Sequence, residues 1–376
     1  TGQSSSGPTA ILYEQTPPLE VTSTTPSRNE PSADRTTSVT ATFNQSLAAG
    51  TATSSKVAVT SNKRGQLGGT VSQSGTQLIF QPDAPFAPGA RVTVRLDSAL
   101  TGANGVPLDT TDTFTFRTRT APGSGDFASL SAGIPGVREG DLDWGDFDGD
   151  GDLDLAIVGD SSYSTGDSND GMGAVYENTG SGFSKAFGLQ AFTDGASVEW
   201  GDYDGDGILD LATSGYNGAA HNTLIWDLAG DGSVNSQIGL APAGVDSSAL
   251  AWGDYDGDGD LDLAVAGHDG SSAVTQIWRY DGGTDFTQVN AGLQTVAQPG
   301  LAWGDYDRDG DLDLVVAGSD NGAPTTNVYR NDGDTDGDGT IEFTQLGSGT
   351  TGLPDVKRAS AEWGDYNRDG TLELVL

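Results

Sequence analysis

Five times the chain prints one unit: "WGDFDGDGDLDLAIVG" from Trp144, "WGDYDGDGILDLATSG" from Trp200, "WGDYDGDGDLDLAVAG" from Trp252, "WGDYDRDGDLDLVVAG" from Trp303 and "WGDYNRDGTLELVL" from Trp363. Successive Trp residues are 56, 52, 51 and 60 positions apart. A second signal recurs out of phase with the first, in "AVYENTGSGF", "LIWDLAGDGS", "QIWRYDGGTDF" and "NVYRNDGDTDGDGTIEF", each an aromatic strand entering a Gly/Asp turn. Each unit therefore predicts about four short strands: one into the acidic loop, one out of it, and a hairpin. A period near fifty with that content belongs to radial β-architectures, so each unit reads as one propeller blade.

The acidic loop sets the chemistry. Counting from the Asp that follows Trp-Gly, positions 1, 3, 5 and 9 carry oxygen donors and position 6 is always Gly. The donors are Asp146, Asp148, Asp150 and Asp154 in the first loop, Asp202, Asp204, Asp206 and Asp210 in the second, and Asp254, Asp256, Asp258 and Asp262 in the third. Asp305, Asp307, Asp309 and Asp313 serve the fourth, and Asp365, Asn367, Asp369 and Glu373 the fifth. Position 7 adds a backbone carbonyl, from Asp152, Ile208, Asp260, Asp311 and Thr371. Alternate residues of a tight turn converge on one point, and six to eight hard oxygens at about 2.4 Å describe calcium. Without an ion, such carboxylates repel one another strongly.

An EF-hand is rejected, because position 12 would then be a bidentate Glu between helices. Here it is Ile157, Thr213, Val265, Val316 or Leu376, and the flanks are short β-type runs. A metal-free Gly-rich turn suits a lone copy but not five at fixed spacing. Calcium is thus expected at about five sites. A sixth candidate, "DTDGDGTIE", places Asp334, Asp336, Asp338 and Glu342 at the same offsets within the hairpin of the fourth unit, against the alternative of a solvated turn.

Charge points the same way. Of the net -37, almost nothing sits in residues 1–125, with nine basic and eight acidic side chains; residues 126–376 hold eight basic and 46 acidic. A solubility device would spread acid over every surface, whereas cation sites concentrate it. A field of this sign repels phosphate, which argues against nucleic acid. Cysteine is absent, and no stretch reaches the roughly 18 apolar residues of a spanning helix. The chain starts without Met and stops inside a motif, which reads as a mature or truncated piece of something longer.

Residues 1–18 are Ser/Gly/Pro-rich and read as a lead-in. From 19 to 120 the pattern has period two: "SVTATF" points Val39, Ala41 and Phe43 one way, "RVTVRL" points Val92, Val94 and Leu96 inward with Arg91, Thr93 and Arg95 outward, and "TFTFRT" does likewise with Phe114 and Phe116. Turn clusters such as "APFAPGA" and "TGANGVP" separate the runs. About seven short strands, each with one wet face, predict an antiparallel β-sandwich. Residues 121–126 then form a linker, and 127–376 the repeats.

Two resemblances follow. The ending "PGARVTVRLDSALTGANGVPLDTTDTFTFRT" (88–118) resembles bacterial Ig-like domains of the surface-layer (SbsA) type, which implies a spacer or adhesive module without catalytic residues. The loop, its apolar strand and the later "YxNxGxG" turn resemble the FG-GAP/VCBS repeats of the integrin α-subunit propeller and its bacterial relatives. That resemblance implies a propeller, calcium in blade loops, and adhesion or ligand binding. The fifth copy departs from the pattern at Asn367, Thr371 and Glu373, implying a weaker site, while Arg308 and Arg368 replace the usual Gly at position 4 with side chains expected to point outward. The stretch "DFASLSAGI" (126–134) is similar to "DFTQVNAGL" (285–293), and is expected to complete a final blade and close the ring.

The five repeated Trp residues are expected to pack between blades rather than to present sugar platforms, with Trp226 and Trp278 in the slot of Tyr176 and Tyr329. His221 and His268 are the only histidines, neither in a nucleophile or zinc motif, so no active site is expected. The chain reads as all-β: an Ig-like sandwich followed by a partial or truncated propeller of four-stranded blades. Its expected role is a secreted or cell-surface, calcium-binding, non-catalytic adhesion or scaffold protein, with a protein or glycan ligand at the cell surface or matrix. The alternative is a lectin or carbohydrate-active enzyme that uses the propeller as a sugar-binding or accessory module.

Overall fold

The structure is a computed structural model that describes residues 17–108, 110–120, 132–161, 170–241, 244–337, 339–367 and 371–376. Alternation in the first segment becomes nine strands: β1 (Val21–Thr25), β2 (Glu30–Ala33), β3 (Val39–Phe43), β4 (Val57–Ser61), β5 (Gly65–Gln66), β6 (Gly69–Ser74), β7 (Gln77–Pro82), β8 (Arg91–Leu96) and β9 (Asp112–Thr118). They form two sheets, ordered β1-β3-β7-β6 and β2-β9-β8-β4-β5. Val39, Ala41 and Phe43 meet Val92, Val94, Leu96, Phe114 and Phe116 in the core between them, as alternation predicts. Two expectations are corrected. Among the described residues there are nine strands where about seven were expected, and β2 runs parallel to β9, with Glu30 opposite Phe116 and Ala33 opposite Thr118. Four residues including Pro31, and the two residues of β5, are too short to show a period.

The second segment repeats one sheet. The first blade holds β10 (Arg138–Gly145), β11 (Asp154–Asp160), β12 (Gly171–Asn178) and β13 (Phe183–Phe192). The second holds β14 (Asp194–Gly201), β15 (Asp210–Tyr216), β16 (His221–Leu228) and β17 (Val234–Gly239). In the third lie β18 (Asp246–Gly253), β19 (Asp262–His268), β20 (Ala273–Tyr280) and β21 (Phe286–Val289), and in the fourth β22 (Ala297–Gly304), β23 (Asp313–Asp320), β24 (Ala323–Asn331) and β25 (Phe343–Gly347). Each is an antiparallel meander in sequence order; β26 (Glu362–Gly364) and β27 (Glu373–Val375) pair as the start of a fifth. The second strand of each full blade is buried along nearly its whole length, which suits its mostly apolar and small residues.

First strands of successive blades lie side by side, and the repeated Trp makes the joint. Trp200 stacks on Phe147 of the blade before it at 6.0 Å and 11°, Trp252 on Tyr203 at 6.0 Å and 15°, Trp303 on Tyr255 at 6.1 Å and 17°, and Trp363 on Tyr306 at 6.1 Å and 13°. Each indole N–H donates back to a carbonyl of the preceding first strand, at Asp143, Glu199, Ala251 and Ala302 respectively. The Gly after Trp is what lets the next indole approach: a Cβ on Gly253 would sit 2.7 Å from Trp303. Trp226 and Trp278 occupy the slot of Tyr176 and Tyr329, each opposite the Leu that faces its own blade's repeated Trp.

Trp144 departs from this packing. It is 37% exposed and rests against Phe183 of its own blade, because no described blade precedes it. At the other end Tyr366 is 81% exposed, and Gly364 has nothing within 4 Å of where a Cβ would stand. Of the segment expected to close the ring, residues 126–131 lie outside the described residues, and 132–134 belong to no strand.

Candidate metal centres and the domain interface

Every acidic loop links the first strand of a blade to the second, so its position 9 is the first residue of that second strand. Left-handed backbone at positions 4 and 6 folds the turn: φ is +73° and +109° at Gly257 and Gly259. Arg308 adopts +67° at position 4 of the fourth loop, at a cost of about 1 kcal/mol for a residue with a Cβ. Arg368 lies outside the described residues.

Oxygens of positions 1, 3 and 9 come within 4.8 Å of one another in the first, third and fourth loops: Asp146, Asp148 and Asp154; Asp254, Asp256 and Asp262; Asp305, Asp307 and Asp313. In the second loop the converging set is Asp202, Asp204 and Asp206. Position 5 does a second job that the spacing does not announce. Asp150, Asp206, Asp258 and Asp309 each accept the amide of position 7, from Asp152, Ile208, Asp260 and Asp311, at 2.8 to 3.1 Å. The side chain of Ile208 packs on the second-blade core, so only its backbone can serve the loop.

Position 9 is a staple as well. Asp262 accepts the Tyr280 amide at 3.0 Å on one oxygen and the Tyr255 amide at 3.3 Å on the other, tying loop position 2 to the third strand. Asp154 and Asp313 repeat both bonds, Asp210 takes the Leu228 amide, and Glu373 takes the Tyr366 amide. Burial pushes these carboxyls up, to about 7 for Asp154, 9 for Asp210 and Asp262, and 8 for Asp313, and neighbouring carboxylates add to the shift. Position 1 follows by the same causes, at about 6 for Asp202 and about 7 for Asp254 and Asp305.

The residues fit a hard cation. Asp202 is 5% and Asp210 2% exposed, yet Oδ1 of Asp202 and Oδ2 of Asp210 have no hydrogen-bond partner, and neither has Oδ1 of Asp254 or of Asp305. A buried carboxylate oxygen without a donor is costly, and a divalent ion is the partner that an all-oxygen set of this kind suits.

The fifth loop is incomplete among the described residues. Asp365 is buried and Asn367 donates to Glu373 at 2.8 Å, while Asp369 lies outside them; Thr371 is half-buried. In the hairpin loop Asp334, Asp336 and Glu342 do converge, with Asp338 outside the described residues. Asp334 and Glu342 there accept local amides from Gly337 and Thr335, as a solvated turn also would.

Comparison with known families accounts for both halves. A model of the FG-GAP-like repeat matches residues 146–213, 254–316 and 305–376, just over half of the chain, and a bacterial Ig-like domain model matches 14–118. The chain belongs to the FG-GAP-like repeat family. No curated protein matches it. Among solved structures, the N-terminal part of the bacterial S-layer protein SbsC is similar at TM-score 0.23 and 14% identity, over 60% of this chain and 44% of that one. A Bacteroides thetaiotaomicron protein described as a candidate phosphatase gives TM-score 0.32 and 12% identity over 96% and 98%. The rhamnogalacturonan lyase PL11 of Bacillus licheniformis gives 0.30 and 15% over 93% and 58%. This chain thus spans less than half of the SbsC fragment. At such scores these likenesses carry no argument about function.

The FG-GAP-like repeats do not stand apart from the Ig-like domain. The outward face of β8 and β9, expected to be wet, turns instead toward the first strands of the blades. Lys63 lies 3.2 Å from Asp143, Arg64 2.8 Å from Oδ2 of Asp146, and Arg95 donates to the Gly257 carbonyl at 2.8 Å with Asp254 at 3.7 Å. The Gln66 amide donates to Oδ2 of Asp202 at 2.6 Å, and Arg117 pairs with Glu362. Gly65, with φ +62°, is required for that approach, since a Cβ would meet the Asp202 carboxylate at 2.7 Å.

Between the faces lies a cavity of about 640 Å³, lined by Thr93, Thr115, Arg91, Glu199, Trp252 and Trp303 among others. Burial pushes Glu199 up to about 8, with Asp143 adding and Arg91 opposing. The sequence marked Asp146, Asp202 and Asp254 as ligands and Arg91 and Arg95 as outward, but not their pairing across the two domains, and Lys63, Arg64, Gln66 and Arg117 did not stand out. Of the two histidines, His221 contacts Asp246 at 2.9 Å, and His268 accepts the Gly270 amide.

Proposed function

We propose that the chain is an extracellular, calcium-stabilised adhesion or scaffold protein, non-catalytic, whose FG-GAP-like repeats form an integrin-like propeller arc presenting a surface to a protein or glycan ligand. The observation that carries this reading is the fourfold recurrence of converging carboxylates, all four position-1 residues holding a buried oxygen without a hydrogen-bond partner. Asp146, Asp202, Asp254 and Asp305, with positions 3, 5 and 9 of each loop, would hold the ions. Calcium supplies there the positive charge that lets clustered carboxylates stay ionised inside a β-sheet stack.

A scaffold of this kind should melt with its ions. An ion present at about 100 times its dissociation constant adds about 2.7 kcal/mol per site. Scanning calorimetry with excess calcium, then with excess chelator, should show the repeat transition fall by many degrees. Identical traces under the two conditions would contradict the reading.

A further inference from the structure

The Ig-like domain touches three of the four complete loops, each time beside the position-1 carboxylate. At the second and third loops it sits against Oδ2 of the position-1 carboxylate and leaves Oδ1 buried and without a partner, whereas at the first Oδ1 of Asp146 accepts the Gly151 amide and Oδ2 faces Arg64. At the second loop the Gln66 amide holds Oδ2 of Asp202 at 2.6 Å, while Oδ1 is buried and without a partner. At the third, Arg95 grips the carbonyl of Gly257 at position 4 and sits 3.7 Å from Oδ2 of Asp254, whose Oδ1 is likewise buried and unpartnered. At the first, Arg64 lies 2.8 Å from Oδ2 of Asp146, and the Asp146 amide donates to the Lys63 carbonyl at 3.0 Å. Both arginines reach across the loop's position-6 glycine: a Cβ on Gly151 would meet Arg64 at 3.0 Å, and one on Gly259 would meet Arg95 at 3.2 Å. At the fourth loop the Ig-like domain acts on Asp305 through the charge of Arg28.

We propose that Arg64, the Gln66 amide and Arg95 are positioning groups for the cation sites: the Ig-like domain orients the position-1 carboxylates of the first three loops, so that ion binding and domain docking support each other. This rests on the reading that the loops bind calcium. The physical reason is the usual role of outer partners at metal sites, which fix a ligand's orientation and whose loss lowers metal affinity about 10- to 100-fold. Linkage makes the effect reciprocal, so bound ions tighten docking by the same factor. The interface suits such a coupling, because polar contacts surround a cavity instead of a packed apolar seam. Docking then depends on where the carboxylates point.

The test uses the full chain. Calcium titrations by isothermal calorimetry compare the wild type with Arg64→Met, Arg95→Met and, as a control for lost charge, Arg119→Met, whose side chain pairs with Asp34 away from the loops. Circular dichroism checks that each variant is folded. Hydrogen exchange then reads the Gln66 amide with and without calcium, independently of any substitution. The expected result is at least a 10-fold loss of affinity at one site in each of Arg64→Met and Arg95→Met, no change in Arg119→Met, and slower exchange at Gln66 when calcium is added. Calcium binding that is unchanged in both loop variants, with Gln66 exchange indifferent to calcium, would overturn the coupling and leave the calcium reading standing. A wild type that binds no calcium would overturn both.

Discussion

Trp303→Ala should lower the unfolding free energy of the full chain by about 3–5 kcal/mol, and Trp144→Ala by about 1 kcal/mol or less. The two residues hold the same place in the repeat, so propensity and strand register cancel in the comparison. What differs is the neighbour. Trp303 is buried between the Tyr255 ring and Gly253 and donates to the Ala251 carbonyl at 3.0 Å, whereas Trp144 is 37% exposed with no blade before it among the described residues. Removing the first leaves a cavity in the seam between two blades and an unpaired carbonyl; removing the second trims a rim. Urea unfolding followed by far-ultraviolet circular dichroism reads both. Equal losses would show that the Trp serves its own sheet and not the joint between sheets.

Acid should stabilise the ion-free chain. Carboxyls in an unfolded chain titrate near 4, whereas burial holds Asp154, Asp210, Asp262 and Asp313 at about 7 to 9 in the fold. Between those limits the native state binds more protons than the unfolded one. This stabilising contribution is complete below about pH 4 and is lost as pH rises through 7 to 9. In chelator, the melting temperature of the repeats should therefore climb by on the order of 5 °C from about pH 8 to about pH 5, net of any acid loss elsewhere. In excess calcium the sign should reverse, because the bound ion keeps those carboxylates ionised and protons must then displace it. The same slope in both media would remove the carboxylate loops from the account of stability.

How much of this was legible in the sequence follows from which interactions are local. Blade content was readable because Trp-Gly-Asp, the acidic loop and the aromatic hairpin recur within some fifty residues, and strand pairing within a meander is between neighbours. Inward positions such as Val92, Val94 and Phe116 were readable from alternation alone. Position 9 was seen as an ion ligand but not as a staple: its bond partner at Asn178, Leu228, Tyr280 or Asn331 lies 18 to 24 residues away, on the third strand. The docking roles of Arg64, Gln66 and Arg95 were invisible because their partners stand more than eighty residues on, and docking of one domain on another leaves no period. Four residues of β2 gave too little chain for alternation, so its parallel pairing with β9 could not be foreseen.

The central claim is that divalent ions neutralise the clustered aspartates and so let successive blades hold their shape. Calorimetric titration of the chelator-stripped full chain with calcium tests it most directly. The account predicts at least four ions per chain, one for each loop that begins at Asp146, Asp202, Asp254 and Asp305, with Asp365 able to add a fifth. A folded chain that takes up no calcium, or whose number of bound ions is unchanged when Asp202 and Asp254 are both changed to Ala, would contradict it.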